Sequence, residues 1–151
     1  MSSLAPGNFL QGANWDYHIV DAVKGDSTHA SAIFKAKVVP RGNAINAPQW
    51  AIIKKALPDD KIALENLDRE RESYRLPGVA SAACFRKMYD EIDSHTIALE
   101  WLDATLADMK YQPDIRTYAL VKTVLKEALT SCDVLERQQY VNTGMTPDLE
   151  S

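Results

Sequence analysis

Two charged side chains stand where they could handle an anion. Lys54 closes the apolar run Trp50-Ala51-Ile52-Ile53, and a lysine ammonium at a strand end is a point charge suited to holding a phosphate. Lys55 follows at once and competes for the role, because strand alternation sends only one of two neighbours to a given face. A basic strand end facing water accounts for the same residues. Further on, Glu70 lies in Asp68-Arg69-Glu70-Arg71-Glu72. Glu72 would sit about 200° round a helix from Glu70, so the two cannot serve one site. An alternating run of this kind also reads as a solvated helix face, with side-chain pairs worth only about 0.2–0.5 kcal/mol each.

Other chemistries find less support. His18, His29 and His95 are scattered, and none has a second histidine or a cysteine three or four residues on, which argues against a metal site. Cys84 and Cys132 are far apart and make no metal spacing; they read as free thiols of a reducing compartment. Neither G-x-S-x-G nor G-x-x-x-x-G-K-[ST] occurs. The net charge is −4 with no block of like charge, so nucleic acid is not an expected partner, since phosphate backbones want a basic face. Met1 to Gly7 lacks a basic region followed by an apolar run, and no stretch is long and apolar enough to span a bilayer. The expectation is a chain without a membrane span, cytoplasmic or nuclear.

The elements that must position Lys54 and Glu70 follow from pattern. With 151 residues, 46% hydrophobic and 25% charged, the chain is long enough for one domain with a core. Residues 1–14 read as a loose lead-in, rich in Gly, Pro and Asn. Strands are predicted at Trp15–Val23, Ala32–Val39 and Gln49–Ala56, the first two as a hairpin. Asp59 or Asp60 caps a helix with an incomplete apolar stripe (Ile62, Leu64, Leu67, Tyr74, Leu76), ended by Leu76-Pro77-Gly78. Strands at Cys84–Ile92 and Thr96–Leu102 come next, then a short helical piece to about Lys110. A long amphipathic helix follows from Pro113-Asp114 to about Arg137, with Leu120, Val121, Val124, Leu125, Ala128, Leu129, Cys132 and Leu135 recurring at spacings of three and four. The order is α+β with a small antiparallel sheet.

This order, with Lys54 and Glu70 in place, resembles the small lobe of a protein kinase, and more narrowly the divergent kinase-like proteins common in fungi. The resemblance covers roughly residues 15–148 and rests on the order of several weak motifs. Ala51-Ile52-Ile53-Lys54 is similar to the family's V-A-I-K strand end, whose lysine holds the α- and β-phosphates of ATP. Arg69-Glu70-Arg71-Glu72-Ser73-Tyr74 resembles the helix whose glutamate pairs with that lysine. Thr96-Ile97-Ala98-Leu99-Glu100-Trp101-Leu102 resembles the strand leading to the adenine-binding hinge. The resemblance implies a five-stranded sheet with one helix over residues 15–102, and the first helices of an incomplete large lobe over residues 103–151. It implies that Leu99 takes the gatekeeper position. The Glu100 carbonyl and Leu102 amide would meet the adenine edge, and Ile33 and Ile52 would cover the ring.

The departures from the family are as informative. The phosphate-covering loop should read G-x-G-x-x-G so that backbone N–H groups approach closely. Here Gly25-Asp26-Ser27-Thr28-His29-Ala30-Ser31 has one glycine and an added acid, which predicts weakened ATP binding. The catalytic loop should read H-x-D-x-K-P-x-N. Aligned on Pro147, Asn142 replaces the histidine, Gly144 the catalytic aspartate, Thr146 the lysine and Leu149 the magnesium-binding asparagine. No catalytic residue is expected, and Mg has lost its protein ligand at that loop. The expectation is a truncated kinase-like domain, without phosphotransferase activity, that binds ATP weakly.

The long helix opens an alternative. In a whole kinase its apolar stripe is covered by later elements, which this chain would lack. Each large apolar residue left exposed forgoes about 1.5–3 kcal/mol. The helix over residues 114–137 should then fold back on the small lobe or dock a protein partner, unless the chain is an unstable piece of a longer kinase-family protein.

Overall fold

The computed structural model describes residues 4–23, 31–42, 46–104, 112 and 114–140. Its elements, in chain order, are β1 (Phe9–Gln11), β2 (Asp16–Ala22), β3 (Ser31–Val39), β4 (Trp50–Ala56), α1 (Lys61–Arg75), α2 (Pro77–Ser81), β5 (Met88–Asp93), β6 (Thr96–Glu100) and α3 (Ile115–Arg137). The fold is α+β. Six strands, not five, form one antiparallel sheet in the order β1-β2-β3-β4-β6-β5. The extra strand, β1, lies inside the predicted lead-in. Three residues are too few to show alternation, and β1 is held by its register on β2, Phe9 opposite His18 and Gln11 opposite Asp16.

The sheet is curled and apolar on both faces. Inside the curl, Tyr17, Ile19, Phe34, Ala36, Val38, Ala51, Ile53 and Ala98 are buried together. On the other face, Ala56, Ile97 and Leu99 pack against Ala63 and Leu67 of α1. β6 lies between β4 and β5 and is buried from Thr96 to Leu99, so it reads as a continuous apolar run rather than an alternating one.

Asp90 closes the curl from β5. Its Oδ1 accepts from the Asn14 backbone N–H (2.8 Å) and side-chain amide (2.9 Å). Its Oδ2 accepts from Trp15 N–H (3.1 Å) and the Tyr17 hydroxyl (2.5 Å). The sheet edge is thereby fastened to the β1–β2 connection, which brings opposite ends of the strand order together. Gly12 is required at this closure: a Cβ there would overlap Asp90 Oδ2 and come within 2.7 Å of the Trp15 carbonyl.

The cap of α1 is Asp60, which accepts from Ala63 N–H at 2.9 Å. Its buried residues are Ala63 and Leu67, whereas Ile62, counted in the predicted stripe, is 68% exposed. Leu76-Pro77-Gly78 ends α1 as predicted but also starts α2, with Pro77 in its first turn, where the missing N–H has no helical partner to lose. Residues 84–87, predicted as strand, form the return from α2 to β5. Phe85 instead lines a cavity between α1, α2 and α3. Likewise β6 stops at Glu100, two residues short of the predicted Leu102.

Asp114 caps α3, its carboxylate accepting from Thr117 N–H at 2.8 Å. That backbone bond, first among its contacts, holds the Asp114 carboxyl below the usual carboxylate range. No residue of α3 is fully buried. Its C-terminal end comes nearest the rest of the chain: Leu135 and Tyr140 border the cavity beside Tyr74, and Tyr140 donates to the Arg69 carbonyl at 3.3 Å. No described helix is long and apolar enough to cross a membrane. The predicted phosphate-loop stretch from Gly25, most of the short helix to Lys110, and the catalytic-loop positions Asn142, Gly144, Thr146 and Leu149 lie outside the described residues.

Candidate functional site

Strand alternation in β4 sends the two lysines to opposite faces of the sheet. Ala51 and Ile53 turn into the curl, so Ile52, Lys54 and Ala56 face α1. Lys55 takes the opposite face. Lys54 Nζ donates to Glu70 Oε2 of α1 and forms an ion pair with it. Their side chains are 28% and 26% exposed, so water reaches both, and a pair in such a setting contributes about 0–1 kcal/mol. Its weight is positional: it fixes an ammonium over one end of the sheet face.

The strand register assembles the rest of that face. Lys54 stands opposite Ile33 of β3 and Ile97 of β6, and Ile52 stands opposite Lys35 and Leu99. Ile33 and Ile52, expected over a ring, and Leu99, expected as the gatekeeper, therefore share one apolar strip beside Lys54. Glu100 sits at the end of β6. Its N–H donates to the Lys87 carbonyl at 2.8 Å, and its carboxylate accepts from Lys87 N–H at 3.1 Å. Leu102 follows, 49% exposed. A cation beside an apolar strip, ending in a backbone edge, can receive a planar ring carrying an anionic group.

Several groups hold α1 so that Glu70 faces the strip. Arg75 Nε donates to Glu91 Oε1 at 2.7 Å, and its second nitrogen pairs with Oε2. The Arg75 guanidinium, acting first through this hydrogen bond, draws the Glu91 carboxyl below its usual range. Arg71, only 13% exposed, donates to the Ser94 carbonyl at 2.7 Å in the β5–β6 turn. Tyr74, one turn after Glu70, packs beside the α1 core. Burial, and then the Glu70 charge, push its hydroxyl up from the ordinary tyrosine value. Glu70 also borders the cavity of about 250 Å³ that Tyr74, Leu135 and Tyr140 line.

One component escaped the sequence reading. Lys35 is sandwiched between two indoles, its Nζ 4.4 Å from the Trp50 ring centre and 4.3 Å from that of Trp101. The signal was present as Lys35 on an alternating strand, but the tryptophans lie far apart in sequence and reach one lysine only through the register of β3, β4 and β6. Among the described residues no group of three or more His, Cys, Asp and Glu side chains is arranged to hold a metal ion. No protein-family model and no curated protein sequence matches the chain.

Proposed function

We propose that this chain is a protein-kinase-like domain that binds ATP weakly and does not transfer its phosphate. One observation carries the reading: Lys54 and Glu70 pair at the end of a strip made by Ile33, Ile52 and Leu99. In this reading Lys54 meets the α- and β-phosphates, oriented by Glu70. Ile33 and Ile52 lie over the adenine, with Leu99, the Glu100 carbonyl and the Leu102 amide at its inner edge. Inactivity rests on the sequence, where Gly144 stands for the catalytic aspartate and Leu149 for a magnesium ligand. Phosphoryl transfer asks the protein mainly for positioning and charge, and those side chains supplied both.

A thermal shift with ATP, with and without Mg, tests the proposal. At a hundred times its dissociation constant a ligand adds about 2.7 kcal/mol, which is roughly 5–11 °C for a chain of this size. Lys54→Ala should remove the shift. No shift at millimolar ATP would defeat the nucleotide reading. Metal-dependent phosphorylation by the pure chain, abolished by Lys54→Ala, would defeat the claim of inactivity.

A second reading, docking of a protein partner on α3, is favoured by a separate observation. Val121, Leu125 and Leu129 lie exposed along one side of the helix with Lys122 and Lys126 beside them.

A further inference from the structure

The strip beside Lys54 has a second cation at its far end. Lys35 projects from β3 directly opposite Ile52, the central residue of the strip. Its ammonium reaches Trp50 at the start of β4 and Trp101 just beyond the end of β6. Three strands are thus tied by one side chain.

The tie falls where the ladder gives out. The last paired residue of β6 is Glu100, opposite Ala51. Trp101 has no place in the ladder, and its ring is held by the Lys35 ammonium and by an indole N–H bond to Asp103 at 3.2 Å. From the other side, Lys87 holds Glu100 through both its backbone and its carboxylate. Glu100 is therefore held by the ladder and by Lys87, whereas Trp101, the first residue beyond the ladder, is held through its side chain. A cation between two indole faces is an attraction that a neutral side chain of the same length lacks.

We infer that Lys35 is a positioning residue for ring recognition: clasped by Trp50 and Trp101, it sets the Glu100–Leu102 backbone against which the base of a bound nucleotide lies. This rests on the reading of the face as a nucleotide site. Phosphate recognition, at Lys54, lies at the other end of the strip and does not depend on the clasp.

Calorimetric titration of the whole chain separates the two ends. ATP probes ring and phosphates together; inorganic tripolyphosphate probes phosphates alone. Lys35→Met keeps the length of the side chain and removes the charge, whereas Lys35→Arg keeps the charge over the rings. Lys35→Met should weaken ATP binding on the order of tenfold, the ratio expected from losing a cation–aromatic contact. It should leave tripolyphosphate affinity unchanged, and Lys35→Arg should restore ATP binding. Equal weakening of both ligands, no weakening of either, or failure of arginine to rescue would overturn the positioning role while leaving the nucleotide site standing. Absence of ATP and tripolyphosphate binding in the unaltered chain would overturn the nucleotide site itself, and this inference with it.

Discussion

Replacing Asp90 with asparagine tests what closes the sheet. Asp90 is 4% exposed and receives four donors: two from Asn14, one from Trp15 and one from Tyr17. An amide has one acceptor oxygen in place of two. If that oxygen keeps the Asn14 pair, the new NH2 faces Trp15 N–H and the Tyr17 hydroxyl. The hydroxyl can turn and accept, but the backbone N–H cannot, and it loses its acceptor inside the structure. A hydrogen bond to a charged group is worth about 1.5–3 kcal/mol, and an orphaned buried donor costs about 1–3. These overlap for one bond, so Asp90→Asn should destabilise by about 3 kcal/mol, a large part of a domain's 5–15. Urea unfolding followed by tryptophan fluorescence reads this directly, with a melting point lowered by roughly 6–12 °C. A cycle with Tyr17→Phe should show coupling of about 0.5–3 kcal/mol, since both act on one oxygen. A loss under about 0.5 kcal/mol, the range of neutral surface changes, would refute the closure.

The same hub sets an alkaline limit. Burial, reinforced by the bond to Asp90, raises the Tyr17 hydroxyl well above its ordinary value. The folded state keeps that proton while the unfolded chain releases it near pH 10, so stability should fall as pH rises beyond about 10. Tyr17→Phe should flatten a pH-dependent unfolding curve there by about 1.4 kcal/mol per pH unit, and an unchanged slope would contradict the assignment. On α3, Leu125 and Leu129 are 59% and 72% exposed. Leu125→Gln with Leu129→Gln should change unfolding stability by less than about 0.5 kcal/mol per site. A much larger loss would mean that the chain itself covers this face, leaving no room for a docked partner.

Much of the candidate site was legible because its residues obey local rules. Alternation alone puts Ile52 and Lys54 together and sends Lys55 away. Apolar spacing locates α3, and Asp114 marks its start. The sequence was less informative where structure depends on distant residues. β1 is three residues long and exists through pairing with β2. Asp90 looks like any acid in Tyr89-Asp90-Glu91, and becomes a buried hub only once the sheet curls β5 toward the β1–β2 connection. The clasp around Lys35 requires three strands in register before Trp50 and Trp101 can both reach its ammonium. Phe85 looked like strand because it is apolar, yet that apolar surface lines the cavity beside Tyr74 and Leu135.

The energetics reverse the apparent order of cause at Lys54. A partly exposed pair worth about 0–1 kcal/mol cannot dock a helix of 15 residues. Burial of Leu67 alone is worth about 1.5–3 kcal/mol, and it packs with Ala63 against Ile97 and Leu99. Arg71 and Arg75 then fasten the same helix to Ser94 and Glu91 at the β5–β6 hairpin. Those contacts set the rotation of α1, and Glu70 arrives over Lys54 as a consequence. The helix does not need Glu70 for attachment, which is compatible with the orienting role that the proposed nucleotide site gives it. Its neighbours in the charged run have separate duties: Arg71 reaches the hairpin and Asp68 reaches Arg71. What reads in sequence as a uniform solvated face is divided by helical rotation into a structural side and a side that meets the strip.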